Sequence, residues 1–223
     1  MRSPTTILIT SMALAVALPG SAETESDTER DESLSVGVVS SSDRLPPVEG
    51  EYHGTSSHIF MGGAVRLTCG GHGTFEGNGL PPKKKGEAVD IDYLATFIGD
   101  LAITSPSTGE TTVYPLNEEI RMVERVKYVG RDRGARVFDV ELVSLEFPVS
   151  GFPDGVIARE STQRRTLGCT TIRRLPRRRF LIETTYDVWM ELSVDGGREW
   201  HQQEVPVKMM LVAKPLPTVS ASP

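Results

Sequence analysis

The chain has 223 residues, of which 38% are hydrophobic and 24% are charged, and its mean hydropathy is -0.20. This composition excludes a polytopic membrane protein and a wholly disordered chain. The 24 basic and 30 acidic residues give a net charge of -6, which argues against a protein that binds nucleic acid over its whole surface.

The first 22 residues have the layout of a secretory signal peptide. Arg2 precedes an apolar stretch at residues 7–18, and Gly20 and Ala22 occupy the small-residue positions of a cleavage site. The stretch is shorter than the ~20 residues that a membrane-spanning helix needs. An uncleaved membrane anchor is the alternative interpretation. We expect an exported protein, periplasmic or extracellular, with no transmembrane segment after cleavage.

Residues 23–50 form an acidic, serine-rich segment that we expect to be a disordered leader. Within its first ten residues, one base opposes six acids, which are Glu23, Glu25, Asp27, Glu29, Asp31 and Glu32. Such a segment buries too little apolar surface to fold. A solvated spacer is the favoured interpretation and an acidic interaction tail the alternative. Residues 215–223 are expected to form a disordered tail.

Residues 51–214 show the period-two alternation and turn residues of an all-β domain. Candidate strands in chain order cover residues 64–69, 88–104, 110–114, 120–128, 137–147, 180–194 and 205–213. Gly99 indicates a bulge or bend in the second strand, and Pro115 is expected to end the third. The apolar residues change parity at Val143, which suggests a β-bulge or burial on both faces. Residues 116–124 are the only candidate for a helix.

The longest alternation, at residues 180–194, predicts one long strand or two strands joined at a bend. Together the segments predict a single antiparallel domain of roughly eight strands with little helix, a β-sandwich rather than a closed barrel. No sequence repeat of fixed period is present, which argues against a propeller or a β-helix.

A hairpin motif follows the long alternation. The pattern Ser-x-Asp-x-Gly-x-x-Trp, called the Asp-box, is matched by Ser193, Asp195, Gly197 and Trp200. In such a turn the aspartate accepts hydrogen bonds from backbone N–H groups, the glycine takes a positive φ and the tryptophan covers the corner. Sialidases and related propellers carry several copies. The single copy here favours a structural hairpin over a sialidase.

Residues 137–200, which include this hairpin, resemble a C-terminal block of exported bacterial proteins of unknown function that are common in planctomycetes. The shared features are an aromatic-rich strand, an acidic position and the run Leu-Ser-x-Asp-Gly-Gly-x-x-Trp ending at Trp200. The resemblance implies export and an all-β fold. Because the family has no assigned activity, it transfers no catalytic residue. This chain differs from the family at Cys169 and in the basic insertion at 173–179.

The chain has two cysteines, Cys69 and Cys169. In an exported protein an even number of cysteines favours a disulfide, so we predict one between them. Two buried thiols are the alternative. A catalytic pair of Cys69 with His72 is disfavoured because the Gly-Gly link between them orients the two side chains poorly.

The sequence predicts neither a metal site nor a cofactor. The four histidines, His53, His58, His72 and His201, lack the spacing of zinc ligands. Asp90 and Asp92 share a strand face and would hold calcium together with Asp100, but a solvated face is the favoured interpretation. Glu191, on the polar parity of the long strand, is likewise expected to face solvent.

Two clusters of basic residues complete the list of candidate sites. Residues 83–85 are three lysines, and seven arginines gather around one predicted hairpin: Arg164, Arg165, Arg173, Arg174, Arg177, Arg178 and Arg179. Such residues protect strand edges from aggregation. Alternatively they bind an anionic partner: an acidic polysaccharide, another envelope component, a lipid head group or the acidic leader.

The sequence therefore predicts an exported binding or envelope-associated structural module. The alternative is an extracellular hydrolase acting on a carbohydrate or an ester, which would require a pocket with two or more converging titratable groups. No catalytic residue is singled out.

Overall fold

Antiparallel strands make up nearly all of the regular structure. The computed structural model describes residues 37–149 and 155–214, with the backbone alone at 70–74. The strands are β1 Val38–Ser40, β2 Gly50–Gly54, β3 Ser57–Phe60, β4 Val65–Glu76, β5 Ala88–Thr104, β6 Thr111–Asp132, β7 Ala135–Pro148, β8 Ile157–Glu160, β9 Thr166–Arg174, β10 Phe180–Val188, β11 Met190–Ser193, β12 His201–Gln202 and β13 Val207–Ala213. Two 3-10 turns lie at Met61–Gly63 and Pro176–Arg178.

Eight of these strands close into a barrel-like ring. In order around the ring they are β2, β4, β5, β6, β7, β9, β10 and β13, and β13 pairs with β2 to close it. Spatial neighbours thus follow chain order. The remaining strands extend the ring: β1 on β10, β3 on β4, β8 on β7, β11 on β8 and β12 on β11.

The all-β antiparallel class with little helix is confirmed. The architecture differs from the predicted sandwich of roughly eight strands, because the thirteen strands in the described part of the chain share one hydrogen-bonded network instead of forming two stacked sheets. The alternation of apolar residues is the same in both architectures. Closure depends on pairing between β13 and β2, which lie far apart in the chain.

The inward parity of the ring strands supplies the core. Phe97, Phe138 and Leu211 are each 0–1% exposed, and the rings of Phe97 and Phe147 pack 5.0 Å apart. Full burial of one such side chain stabilises a fold by about 1.5–3 kcal/mol. The alternation in sequence therefore has its physical origin in an interior that excludes water.

The strand β6 runs without interruption through Pro115, so the segments 110–114 and 120–128 form one strand and the candidate helix at 116–124 is wrong. Proline is tolerated where no partner strand needs its N–H. In the described residues β7 pairs only with residues 121–132 of β6, which leaves one edge of β6 unpaired at Pro115.

At two places the structure selects one of the alternatives that the sequence leaves open. The register joins Val123 to Ser144 and Glu124 to Leu142, so Val143 is the extra residue of a β-bulge. The alternation at 180–194 breaks at Trp189 into β10 and β11. The irregularity expected at Gly99 lies instead on the facing strand β4, after Cys69. Gly99 is required there because a Cβ would lie 2.0 Å from the carbonyl oxygen of Thr68.

The folded region begins before the predicted boundary at residue 51, which falls inside β2. Val38 pairs with Ile182, and Leu45 is 1% exposed and exchanges two backbone hydrogen bonds with Gly79. The prediction of disorder is therefore wrong for residues 37–50. The acidic residues that motivated it all precede residue 33. The predicted signal peptide, the leader up to residue 36 and the tail at 215–223 lie outside the described residues.

Candidate functional site

Three connections lie together at the end of the ring where β4, β6 and β9 finish. They are residues 77–87, 133–134 and 175–179. The register brings them side by side, because Arg136 of β7 pairs with Ile172 of β9, and Gly86 donates a backbone hydrogen bond to Tyr128 of β6. We call this end of the ring the basic end.

The basic end carries ten exposed cationic side chains. They are Lys83, Lys84, Lys85, Arg131, Arg133, Arg173, Arg174, Arg177, Arg178 and Arg179. Within residues 37–149 and 155–214 none of them forms an ion pair. The nearby acids are fewer: Asp43 is paired with Arg136 at 2.6 Å, and Glu87 and Asp132 are exposed. This end is thus locally positive in a chain of net charge -6.

Three of these arginines have a left-handed backbone conformation. Arg133 has φ 45°, Arg177 has φ 60° and Arg178 has φ 58°. Arg133 occupies a two-residue hairpin turn, and the other two lie at the centre of the turn between β9 and β10. Turns of this kind favour glycine, which has no Cβ, and asparagine, whose short polar side chain hydrogen-bonds locally, whereas other residues are strained at positive φ. Arginine at all three positions therefore lowers the local stability of the turns while it exposes positive charge there.

The structure divides the seven arginines that the sequence grouped together. Arg164 and Arg165 precede β9 at its far end, away from the basic end. The Arg164 guanidinium lies 4.2 Å from the centre of the Trp189 ring, and Arg165 donates two hydrogen bonds of 2.6 Å to Glu141. These hydrogen bonds lower the pKa of Glu141. The other five arginines lie together at the basic end.

The Asp-box residues meet in one turn between β11 and β12. The Ser193 hydroxyl donates to Asp195 (2.8 Å) and accepts from the Gly197 N–H (2.8 Å). Asp195 accepts from the N–H of Glu199 and of Arg198, which lowers its pKa. Gly197 has φ 89°, and the Trp200 indole N–H donates to its carbonyl at 3.0 Å. All of these contacts lie within the turn, as a structural role requires.

The predicted disulfide between Cys69 and Cys169 is wrong, because no S–S bond joins them. Cys69 lies on the inward parity of β4 and is 4% exposed, whereas Cys169 lies on the outward parity of β9. Parity places the two side chains on opposite faces of the ring wall. The cysteine count alone carries no information about the face to which each side chain points.

Two groups of carboxylates have structural partners. Asp90 is paired with Arg125 at 2.8 Å and Asp92 with Arg121 across β5 and β6, so they form cross-strand ion pairs instead of a calcium site. The expectation that Glu191 faces solvent is wrong, because this residue is only 1% exposed.

Glu191 lies at the centre of a hydrogen-bond network. It accepts from Gln202, from the Arg159 guanidinium (2.7 Å) and from the Thr162 N–H (2.8 Å). Burial alone would raise the pKa of Glu191, but these hydrogen bonds outweigh it and lower the pKa to about 2. The Arg159 guanidinium also stacks 3.5 Å from the centre of the Trp200 ring. The network thereby connects the Asp-box hairpin to β8.

Sequence reasoning missed an acidic side chain inside the ring. Glu124 is 1% exposed, and burial raises its pKa to about 7. Three buried tyrosines, Tyr52, Tyr93 and Tyr186, interact with it electrostatically. Neither Glu124 Oε2 nor the Tyr186 hydroxyl has a partner of hydrogen-bond geometry among the described residues. The nearby Tyr186 hydroxyl lowers the Glu124 pKa and so opposes the effect of burial without cancelling it. The sequence does contain a signal for this burial. Glu124 lies on the same strand face as the apolar residues Met122 and Val126, which flank it on β6.

Comparisons with protein-family models, with curated proteins and with solved structures found no match for this chain. Among the described residues, no helix is long and apolar enough to cross a membrane.

Proposed function

We propose that the protein is an exported binding module whose basic end binds an acidic polymer, such as an acidic polysaccharide of the cell envelope. The observation that carries this proposal is the left-handed backbone at Arg133, Arg177 and Arg178 on two neighbouring hairpins. A turn that served only to reverse the chain would be more stable with asparagine or glycine. Arginine at these tips extends a guanidinium away from the sheet.

The chemistry of the basic end matches a polymer of carboxylates or sulfates. A guanidinium presents several N–H donors in a plane and forms two parallel hydrogen bonds with one carboxylate. Seven arginines and three lysines at one end provide many such contacts with an extended chain. A polymer gains from this multiplicity, because its anionic groups bind together without each losing translational freedom separately.

Export is supported by the signal-peptide layout of residues 1–22 and by the resemblance of residues 137–200 to exported bacterial proteins. An exported protein meets acidic polysaccharides at the cell envelope, and this supports a polysaccharide rather than an intracellular polyanion as the partner.

The test compares two double variants that remove the same charge. R177Q/R178Q removes two cations from the basic end, and R164Q/R165Q removes two from the other end of β9. Binding of each variant and of the parent chain to polygalacturonate is measured by titration calorimetry over a series of salt concentrations. We expect R177Q/R178Q to weaken binding by roughly tenfold at low salt and to reduce the slope of log K against log salt.

The R164Q/R165Q variant should bind polygalacturonate like the parent chain. Equal losses in the two variants would show that binding follows net charge alone and would overturn the assignment to the basic end. The absence of binding by the parent chain at low salt would overturn the proposed function itself.

A further inference from the structure

A small cavity lies inside the ring, enclosed by buried side chains. Its volume is about 30 Å³, which exceeds the ~10–15 Å³ that a cavity needs to hold one water molecule. The wall includes Tyr52, Tyr186 and several apolar side chains, together with four potential ligands: His58, Met122, Met190 and Met209. The volume excludes an organic ligand and admits a single ion or one water molecule.

One lining residue has a fixed orientation and a bare nitrogen. The backbone N–H of Met190 donates to Gln203 Oε1 at 2.9 Å, which identifies that atom as the amide oxygen. The same oxygen lies 2.8 Å from His58 Nδ1, so Nδ1 must carry the proton and donate. His58 Nε2 is then an unprotonated acceptor, and no described residue forms a hydrogen bond with it. A histidine held in this way through its other nitrogen is prepared to bind a metal.

Three methionines line the same cavity from different strands. Met122 is on β6 and Met209 on β13, strands that face each other across the ring, and both are inward-facing. Met190 follows the break at Trp189 and shares Gln203 Oε1 with His58 through its backbone. The three methionines are 2–8% exposed.

We propose that this cavity is a binding site for Cu(I), with His58 Nε2 and the thioether sulfurs of Met122, Met190 and Met209 as its ligands. Thioether and imidazole are soft, neutral ligands that select Cu(I) over hard cations, which require oxygen. The single positive charge of Cu(I) also makes its transfer from water to an apolar interior less costly than that of a divalent ion. Methionines that only fill space would impose no requirement for sulfur, which provides the means of testing the proposal.

The test replaces sulfur without changing volume. Met190→Leu and Met209→Leu keep the size and apolar character of the side chain, and such substitutions are well tolerated in cores. Met210→Leu is the matched control, because Met210 neighbours Met209 on β13 but does not line the cavity. All variants carry Cys169→Ser, because an exposed thiol binds Cu(I) itself. Cu(I) retention by the full chain is measured by competition with bicinchoninate under reductant, and folding by circular dichroism.

We expect one Cu(I) per chain in the Cys169→Ser parent and in the Met210→Leu control. Met190→Leu and Met209→Leu should each weaken Cu(I) binding at least tenfold while remaining folded. X-ray absorption of the copper complex should show sulfur and nitrogen as its neighbours. The proposal is overturned if the Cys169→Ser parent retains no Cu(I) in the competition, or if folded Met190→Leu and Met209→Leu bind Cu(I) as tightly as the control.

Discussion

At the scale of single residues, Glu124 is the least expected feature of the interior. A carboxyl buried among apolar side chains is stable mainly in its neutral form, because an ion loses its hydration there. The folded protein therefore holds this proton more tightly than the unfolded chain, with a pKa of about 7 in the fold against an ordinary value of 4.5. A raised pKa of this kind couples folding to pH.

The sign of this coupling is definite. The stabilisation by protonated Glu124 is fully present below the unfolded pKa and is lost as pH rises through the folded pKa of about 7. His58, whose pKa burial lowers to about 4, acts in the opposite direction. We therefore predict the difference in unfolding free energy between Glu124→Gln and the parent chain. The contribution of His58 is the same in both proteins and cancels in this difference. Relative to the parent, the variant should gain about 3 kcal/mol in unfolding free energy between pH 4.5 and 7.5.

Urea unfolding of both proteins at several pH values in metal-free buffer measures this difference. A difference that does not change with pH would mean that Glu124 has an ordinary pKa in the fold.

At the scale of the structural element, the turn between β9 and β10 combines strain with charge. Arg177 and Arg178 both have positive φ, and a residue other than glycine in this conformation destabilises the fold by an amount on the order of 1 kcal/mol or more. Leu175 and Arg179 close the turn with a backbone hydrogen bond of 2.8 Å. The flanking strands thus hold the turn in a conformation that its own residues disfavour.

Replacing these two arginines by the residues that such a turn prefers should therefore stabilise the protein. We predict that Arg177→Asn combined with Arg178→Gly raises the unfolding free energy by about 1–2 kcal/mol, because both residues adopt positive φ more readily. Denaturant unfolding measures the gain. R177Q/R178Q is the control, since it removes the same charge but retains side chains that disfavour positive φ. If the two double variants were equally stable, any gain over the parent chain would come from the relief of charge repulsion and not from the backbone conformation.

At the scale of the whole molecule, hydrogen-bonded strands close the ring without a covalent link. The pairing of β13 with β2 covers five residue pairs, whereas β2 and β4 are joined by the single pair Tyr52–His72. The core side chains that meet inside the ring supply the stability that small domains with little core obtain from a disulfide.

Reductant should consequently leave the stability of the protein unchanged. We predict the same thermal midpoint with and without dithiothreitol, because Cys69 and Cys169 are not joined. A disulfide closing so long a loop would contribute up to ~4.7 kcal/mol and would show a clear loss on reduction. Alkylation of protein unfolded without reductant provides a second measurement, with two modified cysteines expected in the mass spectrum. Insensitivity of the cysteines to alkylation before reduction would contradict the structure.

Local patterns in the sequence are enough to predict the strand class and the Asp-box turn, and they include the bulge at Val143 and a division of residues 180–194 among their alternatives. Each of these features depends on neighbouring residues, since alternation, parity and turn chemistry act over a few positions. The start of the folded region could not be predicted from local patterns, because β1 forms by pairing with β10 and its own three residues carry no clear strand signal.

Alternation and turn residues in the sequence are enough to predict antiparallel strands and a group of five arginines at the hairpin of residues 173–179. Closure of the strands into a ring is visible only in the fold, because it joins β13 to β2 across most of the chain. Closure also defines an inside and an outside, which separates Cys69 from Cys169, buries Glu124 and brings His58 and three methionines to one cavity. These outcomes depend on the register between distant strands, and that register is set by how all the inward side chains pack together.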